Sequence, residues 1–151
     1  MKRSGDRYLV SEAITDESRK LRIGISLFDK LCREAKGSVK GILLIPTISN
    51  FDDGTTLESF LAGYNSREIV EDLRNGIEVL LPCEVPFSLK TTRTFDNINN
   101  HVVVLTVNAN QNILSKIEES DNVKAVIVVS GTKSHVEQWK EQWRPKIVTD
   151  Y

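Results

Sequence analysis

Two cysteines, two histidines, one methionine and no apolar run near eighteen residues set the first constraints on this 151-residue chain. Cys32 and Cys83 are too few for a disulfide framework or a cysteine zinc site, and each stands in an apolar pattern that suits a buried thiol in a reducing compartment. His101 opens one apolar run and His135 follows another, so the two are expected at opposite ends of a sheet and no metal site is expected from them. The missing apolar run excludes a membrane-spanning helix, and residues 1–7 are charged without the apolar core of a secretory signal. A cytoplasmic location and no membrane partner are therefore expected. A formal net charge of -1 supplies no global basic field, so nucleic acid is not the expected partner.

What the chain does have is alternation. Four nearly continuous aliphatic runs, 39–45, 77–81, 101–107 and 123–129, are bounded by Pro, Gly, Asn or Asp and read as strands covered on both faces. Between them lie helical patterns. Leu21, Ile25, Phe28, Cys32 and Ala35 share one helical stripe, and Ile113, Leu114 and Ile117 share another over 111–120. Thr55, Asn65 and Ser134 each stand three residues before a glutamate, the spacing of a capping box at a helix start. Helices of this length between buried strands imply crossover connections. The expectation is a single α/β domain over 1–151, a three-layer sandwich with a mostly parallel sheet of about four or five strands and helices on both faces. The stretch 84–100 is long for a connection and is expected to carry an edge hairpin or a flap.

In an open parallel sheet, ligands settle outside the carboxyl ends of the strands. That rule gathers a candidate rim: Thr47 and Ser49 after the first run, Cys83 and Glu84 after the second, Asn108 and Asn110 after the third, and Ser130, Thr132, Lys133 and His135 after the fourth. Thr47, Ser49, Asn108, Asn110, Ser130, Thr132 and Lys133 are the expected ligand-binding residues. Cys83 with His135, and Glu84 beside them, form the candidate catalytic group, since a thiol next to an imidazole is an activated nucleophile.

Several attractive motifs fail. A phosphate-binding P-loop needs glycine directly before its lysine and another five residues earlier, whereas Thr132 precedes Lys133 and 126–130 contain no glycine. Gly131 and the Ser134–Glu137 capping box are read as a strand-to-helix handover. Asp52 and Asp53 with Thr55 and Thr56 offer hard oxygen ligands, but no bidentate glutamate follows at the spacing of a calcium loop, and a turn before a helix accounts for them. No cofactor motif is legible, and none is expected.

Leu61 to Leu73, "LAGYNSREIVEDL", resembles part of a bacterial helix-turn-helix, in which a glycine-containing turn joins a first helix to a Ser-x-x-Glu-Ile-x-x-x-Leu helix. The resemblance implies a DNA-binding regulator with a further helix placed for the major groove. Here 77–82 reads instead as a strand ending in proline, and acidic residues surround the motif. Val136, Trp139 and Trp143 recur at helical spacing, and the two tryptophans are the candidate interface for a partner protein or a second copy of the chain. The functional expectation is thus a binding module for a partner protein, itself as a homo-oligomer, or a small anionic ligand. The alternatives are a small hydrolase or nucleotide-handling enzyme at the carboxyl edge of the sheet, and a DNA-binding regulator.

Overall fold

Runs without a polar break can be buried on two faces at once, and the centre of the sheet is built from them. In a computed structural model describing residues 6–35, 38–47, 56–64, 67–81, 84–95, 100–129 and 136–149, strands β2 (Lys40–Ile45), β5 (Val102–Val107) and β6 (Val123–Val129) lie side by side. They pair in parallel, from Lys40 against Val102 in one ladder and up to Val107 against Val129 in the other. Around them run β1 (Asp6–Val10), β3 (Val79–Leu80), β4 (Pro86–Thr91) and β7 (Lys146–Val148), giving seven strands in the order β3-β4-β2-β5-β6-β1-β7. Every described pairing is parallel except β3 with β4.

Alternate residues of each strand enter different apolar clusters, because successive side chains point to opposite faces. Leu43, Ile45, Val103, Leu105, Ile127 and Val129 join α1 (Glu17–Glu34), α2 (Thr56–Tyr64) and α3 (Arg67–Arg74). Ile42, Leu44, Val104, Val126 and Val128 join α4 (Gln111–Glu119) and α5 (Glu137–Trp143). Close approach of α1 to the sheet requires glycine: a β-carbon at Gly24 would lie 2.8 Å from Val129 Cγ2, and one at Gly41 would lie 2.5 Å from Phe28 Cζ. Asp16 caps α1 through Oδ1, which accepts from the amides of Ser18 and Arg19 at 3.0 and 3.3 Å. Cys32 is fully buried, as its stripe position requires. No helix among the described residues is long and apolar enough to cross a membrane.

Two expectations are corrected. The sheet has seven strands, not four or five, because β1, β4 and β7 are only partly apolar and take strand form through their neighbours. The stretch 84–100, expected to carry an edge hairpin or a flap, contributes β4, which pairs antiparallel with the edge strand β3; Phe87 and Leu89 turn into the core, while Ser88 and Lys90 are half-buried. The run 77–81 is not a buried parallel strand. Only Val79 and Leu80 pair, antiparallel and at the sheet's edge, leaving Leu80 63% and Ile77 50% exposed. α5 begins at Glu137, with Val136 at the cap position and no side-chain bond there. Ser134, Thr55 and Asn65 lie outside the described residues.

Candidate functional site

A parallel sheet forms a crevice where neighbouring strands send their following helices to opposite faces. The helix after β1 joins one apolar cluster, and the helices after β5 and β6 join the other. At that reversal a cavity of about 200 Å³ opens, lined by Thr15, Glu17, Lys20, Leu21, Val107, Asn108 and Val129. Its apolar wall is Leu21 with the ends of β5 and β6. A hydroxyl, a side-chain amide, a carboxylate and an ammonium supply its polar groups.

Local backbone chemistry fixes this geometry. Asn108 donates its amide to the Val129 carbonyl at 3.1 Å, tying the carboxyl ends of β5 and β6 together. It does so at a φ of 60°, a left-handed conformation that asparagine tolerates better than most residues. The segment leading to α1 is stapled as well. Ser11 donates its amide to Val148 at 2.8 Å, and its hydroxyl accepts from the Ala13 amide at 3.2 Å. The first free amides of α1 would ordinarily attract an anion. Here Asp16 already occupies those of Ser18 and Arg19, and Glu17 adds a second negative charge, so the positive charge among the described lining residues is that of Lys20.

A second polar group stands past β1, where Glu12 Oε1 accepts from Lys140 Nζ at 3.1 Å. That hydrogen bond, and then the charges of Glu12 and Glu137, hold the Lys140 ammonium above the ordinary lysine range. Such a lysine is a fixed cation rather than a nucleophile or base. Glu12 Oε2 and Glu137 Oε1 are buried without a hydrogen-bond partner.

The rim expected from sequence is only partly assembled. Asn108 lines the cavity. Asn110 sits beside it, but its side chain is used as the cap of α4, accepting from the Ile113 amide at 3.0 Å. Thr47 is exposed after β2 and does not line the cavity. Glu84 is at the wrong end: because β3 is antiparallel, the turn that follows it meets the amino end of β4. There Glu84, at a φ of 63°, donates its amide to Leu81 at 2.8 Å in a tight turn. Ser49, Cys83, Ser130, Thr132, Lys133 and His135 lie outside the described residues. No cluster of three or more histidine, cysteine or acidic side chains suited to a metal occurs among the described residues.

The two tryptophans part company. Trp139 is 1% exposed and belongs to the core, with its indole N–H donating to Glu118 Oε2 at 2.8 Å, which corrects its assignment to an interface. Trp143 is half-buried beneath the Arg7 guanidinium, whose carbon lies 4.2 Å from the ring centroid. In the segment resembling a helix-turn-helix, α3 buries Val70 and Leu73 and is followed by strand β3 rather than another helix. Thr15, Glu17 and Lys20 escaped the sequence reading because β1 did. The signal available was Asp16-Glu17-Ser18, a cap and an acidic first turn directly before the helical stripe.

Comparison with protein-family models, curated proteins and solved structures finds no match to the chain.

Proposed function

We propose that the chain is a single three-layer α/β domain that binds a small anionic molecule at the carboxyl edge of its sheet. The observation that carries this reading is the cavity between the start of α1 and the ends of β5 and β6, with Lys20 and Asn108 facing an apolar wall. Its location is where open parallel sheets hold ligands. Its volume of about 200 Å³ is below the roughly 300–1,000 Å³ of sites for drug-sized molecules. The ligand is accordingly of metabolite size, or one end of something larger. Asp16 and Glu17 beside the entrance disfavour a multiply charged anion, so a singly charged carboxylate fits better than a triphosphate. The apolar packing of the two helical clusters against opposite strand faces supports the layering.

Binding is favoured over turnover because the described rim offers no nucleophile beside a base, and Lys140 is held as a cation. The test is a thermal-shift panel of small carboxylates, phosphates and nucleotides. A selective ligand at a hundred times its Kd stabilises the native state by about 2.7 kcal/mol. We expect one carboxylate class to act, and Lys20→Met to abolish its effect. A flat panel at millimolar ligand, or a shift that survives Lys20→Met and Asn108→Gly together, refutes the reading.

A second reading, association with a partner protein or a second copy, is favoured by one observation. The exposed large hydrophobics described here, Ile77, Leu80 and Ile147, sit on or beside the two edge strands, where backbone groups are open to further pairing. A monomer by light scattering across a hundredfold concentration range removes the self-association arm.

A further inference from the structure

A larger cavity lies elsewhere. Between α4 and α5 a groove of about 360 Å³ is lined by Leu114, Ser115, Glu118, Glu119, Trp139 and Trp143, together with two glutamines. Its volume falls within the range of small-molecule sites. Among the described lining residues there is no lysine or arginine, while there are two indoles and two carboxylates. Glu118 is neutralised from behind by Arg7, whose Nε and Nη2 donate to it at 2.9 and 2.7 Å. Glu119 is exposed, with no ion pair among the described residues, and gives the groove its net negative charge.

Trp143 is the accessible ring, and the fold already uses it as a cation acceptor for Arg7 at 4.2 Å. Trp139 forms the floor, held in place by its bond to Glu118. Arg7 engages the Trp143 ring from outside the groove, and an aromatic wall next to the Glu119 carboxylate, with no lysine or arginine among the described lining residues, is the chemistry that recognises organic ammonium groups. The ring quadrupole attracts the charge while the methyl groups desolvate against the indole. We propose that the groove between α4 and α5 is a binding site for a small organic cation of the quaternary-ammonium class. The proposal is independent of the site at the carboxyl edge of the sheet, and neither result bears on the other.

Both tryptophans of the chain line this groove, so intrinsic fluorescence reports on it directly. Choline chloride is titrated into the full-length chain against two controls: sodium chloride, and 3,3-dimethylbutan-1-ol, which matches choline in shape without its charge. The expected result is a saturable emission change with choline, at a midpoint at least tenfold below that of the neutral alcohol, and none with sodium chloride. Glu119→Gln, at an exposed position that leaves packing intact, is expected to weaken choline several-fold and leave the alcohol unchanged. Trp143→Phe, which keeps a weaker ring, is expected to weaken choline further, followed through Trp139 and by calorimetry. A flat or non-saturating response, equal midpoints for choline and the alcohol, or an unchanged choline midpoint in Glu119→Gln overturns the proposal.

Discussion

α1 and α5 are fastened to the same sheet by different means. α1 has eighteen residues and buries Leu21, Ile23, Gly24, Ile25, Leu27, Phe28 and Cys32, so apolar contact along its whole length holds it. α5 has seven residues and buries Trp139 alone. Two turns of helix are marginal by themselves, and one side chain cannot supply the packing of six. Directional bonds make up the difference: Trp139 to Glu118, Arg7 between Glu118 and the Trp143 ring, and Lys140 to Glu12. A long helix can be specified by a stripe. A short one needs named partners, and those partners come from β1, α4 and the segment after β1, all distant in sequence.

The sharpest way to break this contrast is Glu118→Ala. Glu118 and Arg7 are only 9% and 13% exposed, and removing the carboxylate takes the ion pair from the guanidinium and the acceptor from the Trp139 N–H. Breaking a buried pair from one side costs about 3–5 kcal/mol. Urea unfolding followed by circular dichroism should show a loss of that size. Tryptophan emission should shift at lower urea than the circular dichroism signal, because α5 loses its anchor first. Arg7→Met with Glu118→Gln sharpens the point. Glutamine still accepts from the indole and no charge is left unpaired, so this double variant should recover most of the loss, to within about 1.5 kcal/mol of the parent. If it is as unstable as Glu118→Ala, the pair contributes attraction beyond mutual neutralisation.

The same contrast governs what the sequence made legible. β2, β5 and β6 were readable because their burial on both faces leaves a continuous aliphatic record. α1 and α4 are readable from stripes. An apolar run does not encode direction, however: 77–81 reads like its parallel neighbours although β3 is antiparallel, which puts Glu84 at the opposite end of the sheet. β1 and β7 gain their strand form from pairing with neighbours far along the chain, Asp6 against Ala125 and Tyr8 against Lys146. Thr15, Glu17 and Lys20 come to the cavity through the position of β1, which no apolar run marks. Helical spacing likewise named Trp139 and Trp143 together but could not distinguish a ring docked on its own sheet from one awaiting a partner.

On the α1 side the corresponding break is steric. Gly24→Ala places a methyl 2.8 Å from Val129 Cγ2 and 3.3 Å from Leu105 Cδ1, between the helix and the sheet. The better helix propensity of alanine, about 1 kcal/mol in an exposed helix, is there opposed by overpacking of about 1–3 kcal/mol. A net loss of about 1 kcal/mol in denaturant unfolding is expected, with tryptophan emission and circular dichroism changing together, since α5 is untouched. A net gain would show that α1 can slide on the sheet, and that its docking is less specific than that of α5.

The smallest effect concerns the outermost clasp of α5. Because Glu12, through its hydrogen bond and then its charge, raises the Lys140 pKa above 10.5, the contribution of this contact is fully present below that ordinary value. It is lost as pH rises through the folded-state value, so only the alkaline side is affected. Lys140 is partly exposed, and salt should weaken the contact further. The measurable consequence is a difference between proteins rather than a large shift in either. Melting temperatures of the parent and Lys140→Met should differ slightly at pH 8 and converge above the ordinary lysine range. A difference that persists undiminished into that range would mean the methylene stem of Lys140, packed beside Glu12, holds α5 more than its charge does. The short helix would then rely on packing after all, as α1 does.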